Sequence, residues 1–331
     1  MWAAAAIAAV GVSAPDATAQ TSACQDGETK IRFSHVTSVT GHPKGEAAEK
    51  LAAAINSQMD GRLCMEIYPN SELFTDDEVL DALIRGRVEM AAPSLSKFGK
   101  YTNVFQIFDL PFLFRDIRAV EWFQRSGPGS RMRRSMEQTG LFGVAFWNNG
   151  MKQMSAIRPL LEPDDAQGLR FRIQNSELLR DQFRALGALP IPMSFKQVYN
   201  ALEGAAIDGQ ANTWANIRSK RFYEHQDGVT ETNHGLVAYM VVTSTRFWNS
   251  LERNDRRQLA GIIASVSAQQ NAASQELAQK NRQELVGEGV VIRQLTAEQR
   301  ARWVEVMSSV WSRYERRIGA ELIRTAVLAN D

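Results

Sequence analysis

The chain has 331 residues, enough for two domains sharing one cleft. Its hydrophobic fraction of 44% and charged fraction of 23% are those of an ordinary globular protein. With 38 Lys+Arg against 37 Asp+Glu the net charge is +1. Bulk charge therefore gives no reason to bind nucleic acid or an anionic membrane, and any anion binding must come from local placement.

Residues 1–11 form an apolar, alanine-rich run too short to span a bilayer. Ala17-Thr18-Ala19 before Gln20 fits a small-x-small cleavage site, so the N-terminus reads as a secretory signal cut after Ala19, although no basic residue precedes the apolar run. Cys24 follows Thr21-Ser22-Ala23, which lacks the large aliphatic residue of a lipobox. Residues 30–35 read as a strand, 43–59 as a helix with Ala47, Ala48, Leu51, Ala52 and Ile55 on one face, and 63–68 as an alternating strand. Cys24 and Cys64 fit an exported protein with one disulfide, two reduced buried thiols being the alternative. A bridge closing a loop of about 40 residues would stabilise by roughly 4 kcal/mol on the chain-entropy argument. A metal site is not expected, because none of the four histidines has ligand spacing to a cysteine.

Thr75-Asp76-Asp77-Glu78 opens the next helix as a capping box, running to about residue 85, and 88–91 reads as a strand. The first hundred residues are thus βαβαβ, the pattern of a layered α/β domain. Residues 105–114 are aromatic-rich and read as core rather than a partner patch. Residues 140–147 read as a strand and 159–198 as a second α/β set. Residues 239–243 return the chain toward the first domain. A long helix over 256–285 carries Leu259, Ile262, Ile263, Val266, Ala273 and Leu277 on one face, and 296–328 supplies terminal helices. Without a glycine-serine linker, a second domain inserted into the first is expected rather than two beads in series.

The segment 149–216 carries the chemistry. Lys152 follows Gly150 on a loop leaving a strand, and Arg172 lies in the apolar/basic strand Gly168-Leu169-Arg170-Phe171-Arg172-Ile173. Asn212 follows a helix with a glycine-marked exit. A guanidinium matches a carboxylate with a planar fork, a lysine adds a point charge and an amide donates a hydrogen bond, so the three together suit a small carboxylate-bearing anion. The plain alternatives are a surface ion pair, a solvated lysine and a turn cap. Phe195 and Trp214 could wall such a cleft or pack in a core. Lys44 and His35 lie near a helix start beyond the first strand, where α/β folds hold anions. Ser94 and Ser96 follow a strand and could add hydroxyl hydrogen bonds. Gly127-Pro128-Gly129 lacks a third glycine at dinucleotide spacing, and no P-loop, Gly-x-Ser-x-Gly or His-Glu-x-x-His occurs, so neither an enzyme nor a cofactor is expected.

Gly168-Leu169-Arg170-Phe171-Arg172, Gly187-Ala188-Leu189-Pro190, Gln197-Val198-Tyr199-Asn200-Ala201-Leu202 and Asp208-Gly209-Gln210-Ala211-Asn212 occur in this order. Tyr68-Pro69-Asn70-Ser71-Glu72-Leu73 lies upstream and Lys220-Arg221-Phe222-Tyr223-Glu224 downstream. In this the chain after Glu28 resembles the extracytoplasmic solute receptors of TRAP transporters, most closely the DctP type that binds C4-dicarboxylates. Gln197, Ala211 and Lys152 depart from the residues common at those places in the wider family.

The resemblance implies a two-domain periplasmic α/β receptor with a ligand cleft between domains and a long helix spanning both. Domain I would take residues 28–150 and about 238–277, and domain II 151–237 and about 278–325. It also implies Arg172 as the carboxylate anchor, with Lys152 and Asn212 beside it. The expected ligand is succinate, malate or fumarate, passed to TRAP permease subunits by a monomeric receptor. Another organic acid, or a sensor partner in place of the permease, is the alternative.

Overall fold

The computed structural model describes residues 24–331, so the signal segment and its cleavage after Ala19 lie outside the described residues. Among these residues the strands are β1 (Thr29–Ser34), β2 (Leu63–Tyr68), β3 (Met90–Ala91), β4 (Leu141–Met151), β5 (Gln153–Ala156) and β6 (Arg170–Ile173). They continue with β7 (Leu189–Pro192), β8 (Gly209–Asn212), β9 (Gly228–Glu231), β10 (Leu236–Ser244) and β11 (Ile292–Gln294). They build two sheets, ordered β2-β1-β3-β10-β4 and β11-β9-β5-β8-β6-β7.

The first sheet starts from the expected βαβ unit. β1 pairs in parallel with β2 and β3, and the helix Pro43–Gln58 buries Ala47, Ala48, Leu51, Ala52 and Ile55, the face read from its spacing. Pro43 at the first turn and His42, whose ring accepts from the Lys44 N–H, start that helix. Cys24 and Cys64 form a disulfide with Cα atoms 5.4 Å apart, which ties the chain ahead of β1 to β2. Thr75 and Glu78 bond as a capping pair, but the α-helix begins only at Val79, one turn later than expected. Residues 105–114 are largely core: Phe105 and Phe108 stack edge-on against Phe146 of β4. Phe112 alone turns away, with φ 58° and its N–H donating to His234 O.

β4 runs on past the expected residue 147 to Met151, and β5 begins in the other sheet after the single residue Lys152. The return runs from β9 to β10 through residues 232–235, and the two crossings are stitched by Lys152 N–H to Gly235 O. In the second sheet β6 pairs in parallel with β7 and β8. Pro190 and Pro192 fall in β7, at the sheet edge, where a missing N–H leaves no ladder partner unsatisfied.

The helix Arg253–Gly287 passes from one sheet to the other. Leu259, Ile262, Ile263 and Val266 are buried at its start, and then its inner face turns polar. Ala273 and Leu277, expected on that face, are only half-buried; Ser267, Gln270, Ser274 and Asn281 take the inward positions. The reason lies in β4. Ser267 accepts from the Trp147 indole, Gln270 donates to Asn148 O, and Asn271 both donates to Phe146 O and accepts from the Asn148 N–H. Beyond β11 the chain divides again. Trp303 and Met307 join the core of the second sheet, whereas Tyr314, Ile318 and Ala326 join the core of the first.

Candidate functional site

A narrow cavity lies between the sheets. Thr37, Asp76, Ser94, Lys97 and Tyr239 line it from the side of the first sheet, and Arg172, Gln174, Phe195, Asn212 and Asn216 from the side of the second.

Arg172 stands on β6 between Ile191 of β7 and Gln210 of β8 and is buried. Its Nε and Nη2 both donate to Met193 O, at 3.1 and 2.9 Å, which fixes the plane of the fork and leaves three of its five N–H donors. Burial pushes its pKa down to about 10, against the opposing pull of Asp77 and Asp76, so it stays a cation at neutral pH. Phe195 lies across it, ring centroid 5.9 Å from the guanidinium carbon.

Asn212 closes β8 rather than following a helix directly; the sheet, not a helix exit, aims it at the cavity. Its Nδ2 donates to Gln210, and its Oδ1 accepts from Asn216. Asn216 in turn accepts from Asn149 and lies 2.7 Å from His42 Nε2, joining the two sheets.

Lys152 is buried where β4 becomes β5, 3.7 Å from Asp109 Oδ1. Burial lowers its pKa, Asp109 opposes this and Arg172 adds to it. Its charge is thus already compensated, and it does not line the cavity in this conformation. Ser96 belongs to the same cluster, donating to Asp109 Oδ1 at 2.6 Å, so of the two serines only Ser94 reaches the cavity wall. Ser176 Oγ donates to the other Asp109 oxygen and Gln182 to its carbonyl.

Lys44 is fully buried, donates to Ala92 O at 3.1 Å and lies 4.0 Å over the ring of Tyr239, one residue behind the wall. Burial pushes its pKa down to about 8 against the pull of Asp76, and Lys220 adds to the depression. His35 bonds Thr37 through Nδ1 and is held neutral by burial, then by Lys44, His42 and Lys220.

Trp214 does not wall the cleft. It packs with Ile217, Val229 and Leu285 beneath the long helix. It lies two residues from Asn216, about 200° around the helix Trp214–Ser219, so the two side chains leave opposite faces.

Sequence reasoning missed Thr37, Asp76, Lys97, Gln174, Asn216 and Tyr239. Asn216, four residues beyond Asn212, had a readable spacing. Asp76 and Asp77 read as helix-start acids, yet Asp77 pairs with Lys97 at 2.6 Å and Asp76 accepts from the Ser94 N–H.

Two mixed sheets joined by crossing strands and a spanning helix, with a cation-rich cavity between them, define a cleft-type solute-binding protein. Residues 33–317 match the bacterial extracellular solute-binding protein family 7, DctP, and the chain belongs to that family. It is 48% identical over 307 residues, 93% of this chain and 92% of the relative, to the C4-dicarboxylate-binding periplasmic protein DctP of Vibrio cholerae. A TRAP periplasmic solute-binding protein from Shewanella oneidensis, solved with bound succinate, superposes with TM-score 0.90 at 41% identity, covering 92% of this chain and 100% of that one. One from Pseudomonas aeruginosa with bound L-malate gives 0.84 at 40%, covering 86% and 100%.

Proposed function

We propose that this chain is a periplasmic receptor for a C4-dicarboxylate such as succinate, malate or fumarate. It would act as a monomer, deliver its ligand to TRAP permease subunits and catalyse nothing. The observation that carries the ligand class is the charge of the cleft. Lys44, Lys97, Arg172 and Lys220 influence one another there or share Asp76 and Asp77 as the nearest acids, while Lys152 is matched by Asp109. Four cations against two carboxylates leave two positive charges, which a dianion neutralises and a monoanion does not. An uncompensated buried charge is costly, so the second carboxylate contributes to affinity rather than merely being tolerated.

In this reading Arg172 forks one carboxylate, Asn212 donates its free amide hydrogen, and Phe195 packs on the carbon chain. Lys152, Lys44 and His35 act behind the wall. Ser94 offers its hydroxyl, and Ser96 helps hold Asp109. In the same reading the two sheets are the cores of two lobes, and residues 311–328, which pack on the core of the first sheet, go with the first lobe rather than the second.

Calorimetric titration of succinate, malate, fumarate and matched monocarboxylates into the mature protein and Arg172→Ala tests this. The parent is expected to prefer the diacids, and Arg172→Ala to weaken them about 100-fold, as two charge-assisted hydrogen bonds would. A loss within about threefold would show that Arg172 is not the anchor. Binding of monocarboxylates alone would keep the receptor and discard the dicarboxylate.

A further inference from the structure

We infer that Lys220, held across the cleft by Asn70, takes the second carboxylate and so distinguishes diacids from monoacids; this rests on the dicarboxylate reading above. Lys220 caps the C-terminus of the helix Trp214–Ser219. It lies four residues after Asn216, one turn on from a residue that lines the cavity, and reaches the ring of Phe195 on the cavity wall.

Its amine is 6.0 Å from the Phe195 ring centroid, and the Arg172 guanidinium carbon is 5.9 Å from the same centroid. Together these distances cap the separation of the two cations at about 12 Å. An extended four-carbon diacid spans ~6 Å between its outer oxygens, and one charge-assisted hydrogen bond of about 2.9 Å at each end brings the spacing of its cations to about 12 Å. A ligand lying along Phe195 with one end on Arg172 is therefore long enough to reach Lys220 with the other.

Among the described residues no carboxylate lies within ion-pair distance of Lys220. Its one partner is neutral: Nζ donates to Asn70 Oδ1 at 2.9 Å, leaving two of three donors. Asn70 follows β2 in the first lobe, with φ 51°, and its N–H is anchored on Thr37 O beside the cavity. Lys220 belongs to the other lobe. The hydrogen bond thus forms only when the walls meet, and it orients the amine that meets the ligand. Lys220 is close enough to Lys44 to add to the depression of its protonation, so the closed cleft is repulsive until an anion enters.

The test is calorimetric titration of succinate and of monomethyl succinate, which has the same length and one charge fewer, into the parent, Lys220→Met, Lys220→Arg and Asn70→Ala. Lys220→Met is expected to weaken succinate at least tenfold while changing monomethyl succinate less than threefold. Lys220→Arg should restore most of the loss, and Asn70→Ala should weaken succinate selectively by a smaller factor. Unchanged melting temperatures without ligand would exclude misfolding. A smaller succinate loss in Lys220→Met, or equal losses for both ligands, overturns the assignment of Lys220 and leaves the dicarboxylate reading standing. A parent that binds no diacid overturns that reading and this inference with it.

Discussion

Lys44 shows how one buried charge sets the pH dependence of stability. It is fully buried with a backbone carbonyl and an aromatic face as partners and no carboxylate in bonding distance among the described residues. A fall from 10.5 to about 8 corresponds to roughly 3 kcal/mol of burial penalty at neutral pH. The sign follows from proton counting. Between pH 8 and 10.5 the unfolded chain keeps the proton that the folded chain has released, so stability from this group rises with pH across that window and is flat below it. Lys44→Met should therefore be more stable than the parent at pH 7 in urea unfolding, and the advantage should shrink toward pH 10. An advantage independent of pH would show that packing, not charge, is responsible.

At the scale of elements, the second sheet is built around close backbone approach. A Cβ on Gly209 would lie 2.7 Å from Ser155 O of β5 and 2.7 Å from the Phe171 ring of β6. Neither neighbour is the free end of a flexible chain, so Gly209→Ala should destabilise by about 1–3 kcal/mol, seen as a lower urea midpoint with unchanged slope. β8 also carries Asn212 to the cavity, so ligand affinity should fall with it. Asp208, one residue earlier, clamps Arg170 through both carboxylate oxygens and accepts its N–H, which fixes β8 against β6, the strand of Arg172.

For the whole molecule, the cavity between the sheets leaves about 20 Å³, room for about one water. A diacid of about eight heavy atoms can enter only if the walls part. The connections able to bend are few: the crossing at Lys152, the return through residues 232–235, the long helix and the chain leading to Tyr314. A ligand that touches both walls favours the closed arrangement by its differential affinity. Small-angle scattering should then show a smaller radius of gyration with saturating succinate than without it, and Arg172→Ala should lose the change. An unchanged radius in the parent at saturation would argue against lobe closure.

What the sequence determined was everything that rests on local spacing. The helical face of residues 47–55, the basic strand of Arg172, the long helix and the motif order that marks the family could all be read from neighbours along the chain. Arg172, Asn212, Phe195 and Ser94, all of which line the cavity, were read as candidates in this way. What only the tertiary structure decided was which charges meet. Lys152 looked like a free cation until Asp109 came to it from a segment more than forty residues away, and Asp77 looked like a helix-start acid until the fold paired it with Lys97. Trp214 and Asn216, two residues apart, could be assigned to core and cavity only once the long helix was known to cover one face. Short strands such as β8 and β11 lack a period long enough to read, because ladder partners distant in sequence hold them in place. Periodicity is a property of the chain; charge compensation and burial are properties of what the fold brings together.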